Sequence, residues 1–352
     1  QTTPQATQFD TRKTVRQTQA GASWRHTFAG AGVLRDSVLM VYQGSRGVTQ
    51  WQSIPVAVQT PTTHGGGVVD FDRTYNGVEA RLGWRLGDAD AVTGINIETQ
   101  QDERRGYENF TGTGVNRVLG VTGKLRRDET NRATTREAFA QLQMPLGAEG
   151  SGLALTGGVR GGRVSMRTQD HFTSNGNDSG ELAFSYFNPV LGLRWTAAPG
   201  LALHASLARG FESPTLGELA YRPDGAGGFN SALKGQTSRQ FELGAKWRLA
   251  TLSLDAAVFQ ADTDNEIGVL SNTGGRSTFQ NVGRTRRQGA ELSVTWRPVR
   301  GLRLQAATTV LDAHYLDGFG AGTSAVRPGN RIAGTQRASH WGQAAWQPGW
   351  MP

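Results

Sequence analysis

Asp262-Thr263-Asp264-Asn265-Glu266 begins like a calcium loop, in which alternate side-chain oxygens wrap a hard cation. The pattern then fails, because Ile267 stands where the sixth-position Gly belongs and Thr273 where the closing Glu belongs. These carboxylates read as polar strand-end residues. Gly112-Thr113-Gly114 is a piece of a dinucleotide fingerprint without its third Gly or a following helix. The histidines (His26, His64, His171, His204, His314 and His340) are scattered without metal-ligand spacing. No Gly-x-Ser-x-Gly elbow is present and no Ser/His/Asp arrangement can be assembled, so no catalytic residue and no enzyme is expected. Asn109-Phe110-Thr111 and Asn177-Asp178-Ser179 match glycosylation sequons and read as chance matches. What remains suits an anionic or aromatic ligand: Arg46, Arg105, Tyr107, Tyr221, Arg222 and Arg276. Arg offers planar, permanently charged donors, and Tyr adds stacking area and a hydroxyl.

The elements that would carry these groups alternate with period two, and helical periodicity is almost absent. Residues 78–86 place Val78, Ala80, Leu82, Trp84 and Leu86 on one face, with Glu79, Arg81, Gly83 and Arg85 on the other. Residues 241–249 and 290–297 repeat the design, and His204 alternates with Leu203 and Ala205, on the polar side. About thirteen strands follow, near 15–28, 35–46, 69–86, 89–105, 127–145, 152–169, 183–197, 201–212, 236–249, 251–266, 278–297, 302–314 and 338–347. Many have twelve or more residues, against the roughly five or six of an ordinary strand.

Connections alternate in length. Short turns follow Trp84 (Gly87-Asp88), Trp195 (Pro199-Gly200), Trp247 (Ala250-Thr251), Trp296 (Pro298 onward) and Trp346 (Pro348-Gly349). A sixth turn at 146–152 follows Met144-Pro145 instead. The other connections are long and polar, at 44–69, 106–125, 168–182, 213–236, 268–278 and 312–337, and they hold the six candidate ligand residues or lie beside them. An indole, apolar with one donor, suits a boundary between hydrocarbon and water, so this row predicts the interface girdle of a membrane β-barrel. No apolar run is long enough for a membrane helix, but a barrel needs apolar residues on only one face of each strand. The net charge of +8 over 352 residues is dispersed, without a basic run interleaved with stacking aromatics, so nucleic acid is not an expected partner. There is no Cys and hence no disulfide framework. A period of about fifty residues also suits a soluble kelch-like propeller, whose blades pack four short strands per period. Here each period holds two long strands and one long loop.

The stretch from Leu203 to Leu219, with Arg209-Gly210-Phe211-Glu212-Ser213-Pro214-Thr215, resembles a strand of TonB-dependent outer-membrane receptors, especially the ferric-siderophore group. The stretch 233–244 is similar to their next strand opening, with Gly235-Gln236 where that family commonly has Pro-Glu. Thr278-Phe279-Gln280-Asn281-Val282-Gly283 and Arg287-Gln288-Gly289-Ala290-Glu291-Leu292 resemble the following hairpin, and Asp10-Thr11-Arg12-Lys13 an upstream strand. The resemblance implies an antiparallel transmembrane β-barrel of 22 strands in the bacterial outer membrane, with short periplasmic turns and long extracellular loops. It also implies an N-terminal plug and, ahead of it, a segment that engages the TonB complex. No plug-like segment is read here. Residues 1–352 are therefore expected to be one partial barrel domain, about thirteen strands of the wall and not competent alone, beginning at Gln1-Thr2-Thr3 and ending at Trp350-Met351-Pro352. The implied function is transport of a ferric siderophore or similar iron chelate, energised through TonB, with no resident cofactor and with outer-membrane lipid around the wall. The alternatives are a passive porin-like channel and the propeller.

Overall fold

The protein is described here by a computed structural model covering residues 4–30, 32–148, 150–224, 227–322 and 325–347. The wall begins with β1 (Arg12–Thr27), β2 (Leu34–Trp51), β3 (Val68–Leu86) and β4 (Ala89–Tyr107). A loop carrying the small ladder β5 (Phe110–Thr111) and β6 (Val118–Leu119) leads into β7 (Leu125–Leu146), β8 (Leu153–Asp170), β9 (Gly180–Ala198) and β10 (Leu201–Glu212). Next come β11 (Gln236–Arg248) and β12 (Leu252–Asp264), then a hairpin of β13 (Ile267–Thr273) and β14 (Arg276–Asn281). The chain returns to the wall with β15 (Thr285–Trp296), β16 (Leu302–Tyr315) and β17 (Ala338–Trp346). Leaving out the β5–β6 and β13–β14 ladders, thirteen strands form one sheet in chain order. All wall pairings are antiparallel. One continuous sheet is incompatible with the separate four-stranded blades of a propeller.

Alternation sorts the wall into two faces. Val78 pairs with Val41 and Ile97, and Ala80 with Leu39 and Ile95, so the apolar side chains form a continuous outer surface. They are not covered: Ile95 is 49% exposed and Leu191 51%. Apolar residues bare on one face, beside polar ones on the other, are what a lipid-facing wall requires. The band runs from Leu146 to Ala138 on β7, from Leu153 to Gly161 on β8 and from Trp195 to Phe187 on β9. Nine residues at roughly 3.3 Å each, tilted by about 40°, make it about 20 Å tall, close to the roughly 25 Å typical of such barrels. Trp84, Trp195, Trp247, Trp296 and Trp346 lie on this face at the short-turn end. Trp24 of β1 lies there too, stacked 5.7 Å from His26. The Pro348-Gly349 turn, like residues 1–3 and 350–352, falls outside the described residues.

Three sequence expectations need correction. First, β2 continues through Trp51, because Val48 is buried opposite Phe71 and keeps the alternation going. Arg46 therefore belongs to the wall, between Gln17 and Arg73, and not to a loop at 44–69. Second, the single strand expected at 278–297 breaks at Gly283, whose φ of 86° takes the backbone into the left-handed region. Third, the loop expected at 268–278 is largely a hairpin, turning at Gly274-Gly275 with both φ values positive. The acidic cluster behaves as strand-end carboxylates: Asp262 pairs with Arg286 at 2.6 Å and Glu266 with Arg287 at 2.6 Å. His204 faces inward against Glu242, 3.1 Å away.

Inside the wall an apolar nucleus ties the 213–235 loop to β8. Leu219, Phe229 and Leu233 from the loop bury against Val164 and Met166. A capping box starts a short helical turn in this loop: Thr215 Oγ1 accepts from the Glu218 N–H at 3.2 Å, and Glu218 Oε2 accepts from the Thr215 N–H at 2.7 Å. This sets Leu219, fully buried, at the centre of the cluster.

Candidate functional site

A cavity of about 440 Å³ opens at the long-loop end, between the inner ends of β4 and β7, the 52–67 and 213–235 loops, and the β13–β14 hairpin. Its polar lining is chiefly cationic: Arg104, Arg127 and Arg276, with Tyr221, His64 and Glu218. The alternation that exposes Ile95 and Ile97 outward turns Arg104 inward, and the paired register does the same for Arg127 and Glu129. Arg127 is almost fully buried and satisfies its guanidinium three ways: Glu129 at 3.0 Å, the Tyr221 hydroxyl at 3.2 Å and the Ala220 carbonyl at 3.3 Å. Its guanidinium also lies 4.5 Å from the Tyr221 ring centroid, and that of Arg276 lies 5.4 Å from the same ring. Arg276 donates to the Thr63 carbonyl at 3.3 Å. Arg104 makes no ion pair among the described residues, so its charge is directed at the cavity.

Burial alone would push the Tyr221 phenol up, but Arg127, Arg104 and Arg276 outweigh it and hold the group below its ordinary value. Its oxygen accepts from Arg127, and the same cations make its O–H a stronger donor. His64 is the reverse case. Burial pushes its imidazole down, against a hydrogen bond to the Gly274 carbonyl, and Arg276, Arg126 and Arg127 add to the lowering. The neutral ring donates from Nε2 to Gly274 O (2.9 Å) and accepts at Nδ1 from the Gly66 N–H (3.0 Å). A charged ring would have to donate at both nitrogens and would lose the second bond.

The 52–67 loop is fixed by a buried amide pair that sequence reasoning passed over. Gln59 Nε2 donates to Asn109 Oδ1 at 2.7 Å, and Asn109 Nδ2 donates to the carbonyls of Gln52 (2.7 Å) and Ile54 (3.0 Å). Asn109 is fully buried, which removes it as a glycosylation acceptor. The strand ends and the loop approach so closely that a Cβ on Gly106 would meet the Gly65 carbonyl, and one on Gly66 the Tyr107 carbonyl.

Of the six residues singled out from sequence, Tyr221 and Arg276 come together in this cavity. Arg105 borders it, but its guanidinium reaches Asp128 (3.5 Å) on the outer face. Tyr107 contributes its carbonyl, which accepts from Gly67 N–H at 2.8 Å. Arg222 pairs with the exposed Asp224 at 3.6 Å, and Arg46 sits lower in the wall; neither lines the cavity. Arg104, Arg127 and His64 were missed. Strand alternation carried beyond the apolar band would have found the first two; nothing in the sequence marks His64.

A family model for the β-barrel of TonB-dependent receptor-like proteins matches residues 1–349. The chain belongs to the TonB-dependent receptor β-barrel family. Membership places this receptor barrel in the bacterial outer membrane, with the short turns periplasmic and the cavity at the extracellular end. Solved structures share the fold at low identity. The copper transporter OprC is 18% identical with a TM-score of 0.70, over 85% of this chain and 46% of that one. The ferric yersiniabactin uptake receptor FyuA from Yersinia pestis is 17% identical with a TM-score of 0.66, over 93% and 46%. The unliganded ferric citrate transporter FecA is 14% identical with a TM-score of 0.70, over 96% and 48%. The receptor barrel thus spans about half the length of these proteins.

Proposed function

We propose that this barrel contributes to an outer-membrane receptor that captures an anionic ferric chelate, of the siderophore or carboxylate type, for uptake energised through the TonB complex. The observation that carries the reading is the cluster of Arg104, Arg127 and Arg276 around Tyr221 at the extracellular mouth. The Arg104 and Arg276 guanidiniums and an acidified phenol offer donors to carboxylate, hydroxamate or catecholate oxygens, with Arg127 held behind the phenol. Glu129 and Glu218 offset two of the three guanidinium charges, so the site keeps a net positive field for an incoming anion. Iron enters as cargo inside the chelate, and the wall recognises the chelate's anionic periphery. No covalent chemistry is assigned to the barrel. The outer-face tryptophans hold the wall at the periplasmic membrane boundary.

The test uses the full-length receptor in detergent, titrated with ferric citrate, a ferric hydroxamate and a ferric catecholate by calorimetry. One of these chelates is expected to bind, and Arg104→Gln or Arg276→Gln to weaken it about tenfold, near 1.4 kcal/mol for one charge-assisted contact. Equal binding by wild type and both variants would refute the site.

A further inference from the structure

The outer face carries a second cationic cluster, separate from the cavity and outside the wall. Where the apolar band of β7 ends at Ala138, the next outward residues are Arg136, Thr134 and Arg132. On β8 the band ends at Gly161, and the next are Arg163, Ser165 and Arg167. The register sets these directly opposite one another: Arg136 against Arg163, Thr134 against Ser165, and Arg132 against Arg167. All four arginines are exposed. None makes an ion pair among the described residues. Glu181 stands opposite Arg167 in the register, yet it too forms no ion pair among the described residues. Arg132, Arg163, Arg167 and Glu181 border a shallow recess of about 430 Å³.

Like charges facing each other across a ladder destabilise a sheet. Elsewhere on the outer face a carboxylate stands beside the arginines: Arg286 pairs with Asp262 at 2.6 Å, Arg105 with Asp128 at 3.5 Å, and Arg239, which faces Arg209 across the ladder, has Asp264 at 3.9 Å. The Arg136–Arg163 and Arg132–Arg167 pairs flank the Thr134–Ser165 pair and form no ion pair among the described residues, even with Glu181 opposite Arg167, so they are open to an anion from outside the chain. Their position names it. They begin one outward residue beyond the hydrocarbon band, at the extracellular side, which is the level of the outer-leaflet headgroups. Paired guanidiniums grip phosphate bidentately, and the threonine and serine between them add hydroxyl donors.

We propose that Arg132, Arg136, Arg163 and Arg167 form a docking site on the outer wall for the phosphate groups of a phosphorylated glycolipid of the outer leaflet. The site holds a lipid that surrounds the receptor and takes no part in capturing cargo. A bis-phosphorylated lipid A added to the full-length receptor in detergent micelles tests it, read by native mass spectrometry. Wild type is expected to retain the lipid at least about tenfold more than it retains the dephosphorylated form. The quadruple variant Arg132→Gln/Arg136→Gln/Arg163→Gln/Arg167→Gln is expected to lose that preference, while Arg239→Gln, an exposed outer-face arginine of β11, keeps it. If the quadruple variant fails to insert, Arg163→Gln/Arg167→Gln is expected to lower the preference partway. Retention indifferent to phosphate, or equal in wild type and variant, overturns the proposal. So does full competition by millimolar inorganic phosphate, which would mean a free-phosphate site, or a doubled mass, which would mean a second copy of the chain on this face.

Discussion

Replacing Asn109 with Ala removes a side chain that joins the 52–67 loop to the β4–β7 connection, while the bond from its backbone N–H to Gln59 Oε1 remains. Three hydrogen bonds go, one accepted from Gln59 and two donated to the carbonyls of Gln52 and Ile54. Ile54 O keeps its bond from Gln59 Nε2, so two groups are stranded: one Gln59 N–H and the Gln52 carbonyl. Each stranded buried group costs about 1–3 kcal/mol, and a sum of about 3 kcal/mol raises local opening roughly 150-fold. Hydrogen exchange on the full-length receptor reads this directly. Amides of Asn109, Gly66 and Gly67 are expected to lose about two orders of magnitude of protection, while those of β8 and β9 keep theirs. Unchanged protection in the loop would refute the latch. Equal loss across the wall would refute its confinement to the loop.

Three further outcomes follow from the same geometry. The His64 imidazole is pushed below its ordinary value of 6.5, so the opened loop binds a proton more readily than the closed one. The stabilisation is full above about 6.5 and declines as pH falls through that value toward the lower folded one; loop protection, corrected for intrinsic exchange, should drop in that window, and His64→Gln should remove the dependence. Leu219→Ala empties the centre of the inner apolar nucleus at a cost of about 2–5 kcal/mol, and should expose the 213–235 loop to protease while the barrel stays heat-modifiable on gels. Gly283→Val combines a positive φ with a clash against the Asp317 side chain; a cost of about 1–3 kcal/mol should appear as lost protection in β14 with β12 and β15 unchanged.

The wall was legible because its physics is periodic. Alternation over Val78 to Leu86 marked a long strand with one lipid-facing side, and short turns beside the tryptophans set the register of one hairpin after another. The strand count of thirteen survived, although the reading of 278–297 did not. There the chain keeps its β-forming residues through Val282, and only the left-handed Gly283 turns β14 out of the wall. The cavity was legible in part. Tyr221 and Arg276 stood out by type, but they are 55 residues apart and meet only because loop and hairpin both fold back over the inner strand ends. Gln59 and His64 gave no signal, and Asn109 only that of a chance sequon, since their partners are mostly main-chain atoms or residues of distant loops. Loop closure of that kind has no period to read.

The order of the sheet has a consequence for how the wall is made. Each wall strand pairs with its nearest wall neighbours along the chain, without a crossover. Loop-closure entropy grows slowly with length, so the two-residue link at Gly87-Asp88 closes with little entropic loss, and the 265–284 connection recovers part of its larger loss through its own hairpin. Assembly can therefore advance as a zipper, each completed hairpin offering its free edge as the template for the next. The slow steps fall at the long connections 213–235 and 316–337, where the growing edge waits longest for the following strand. Halving either loop should speed that step by about threefold, near 0.6 kcal/mol.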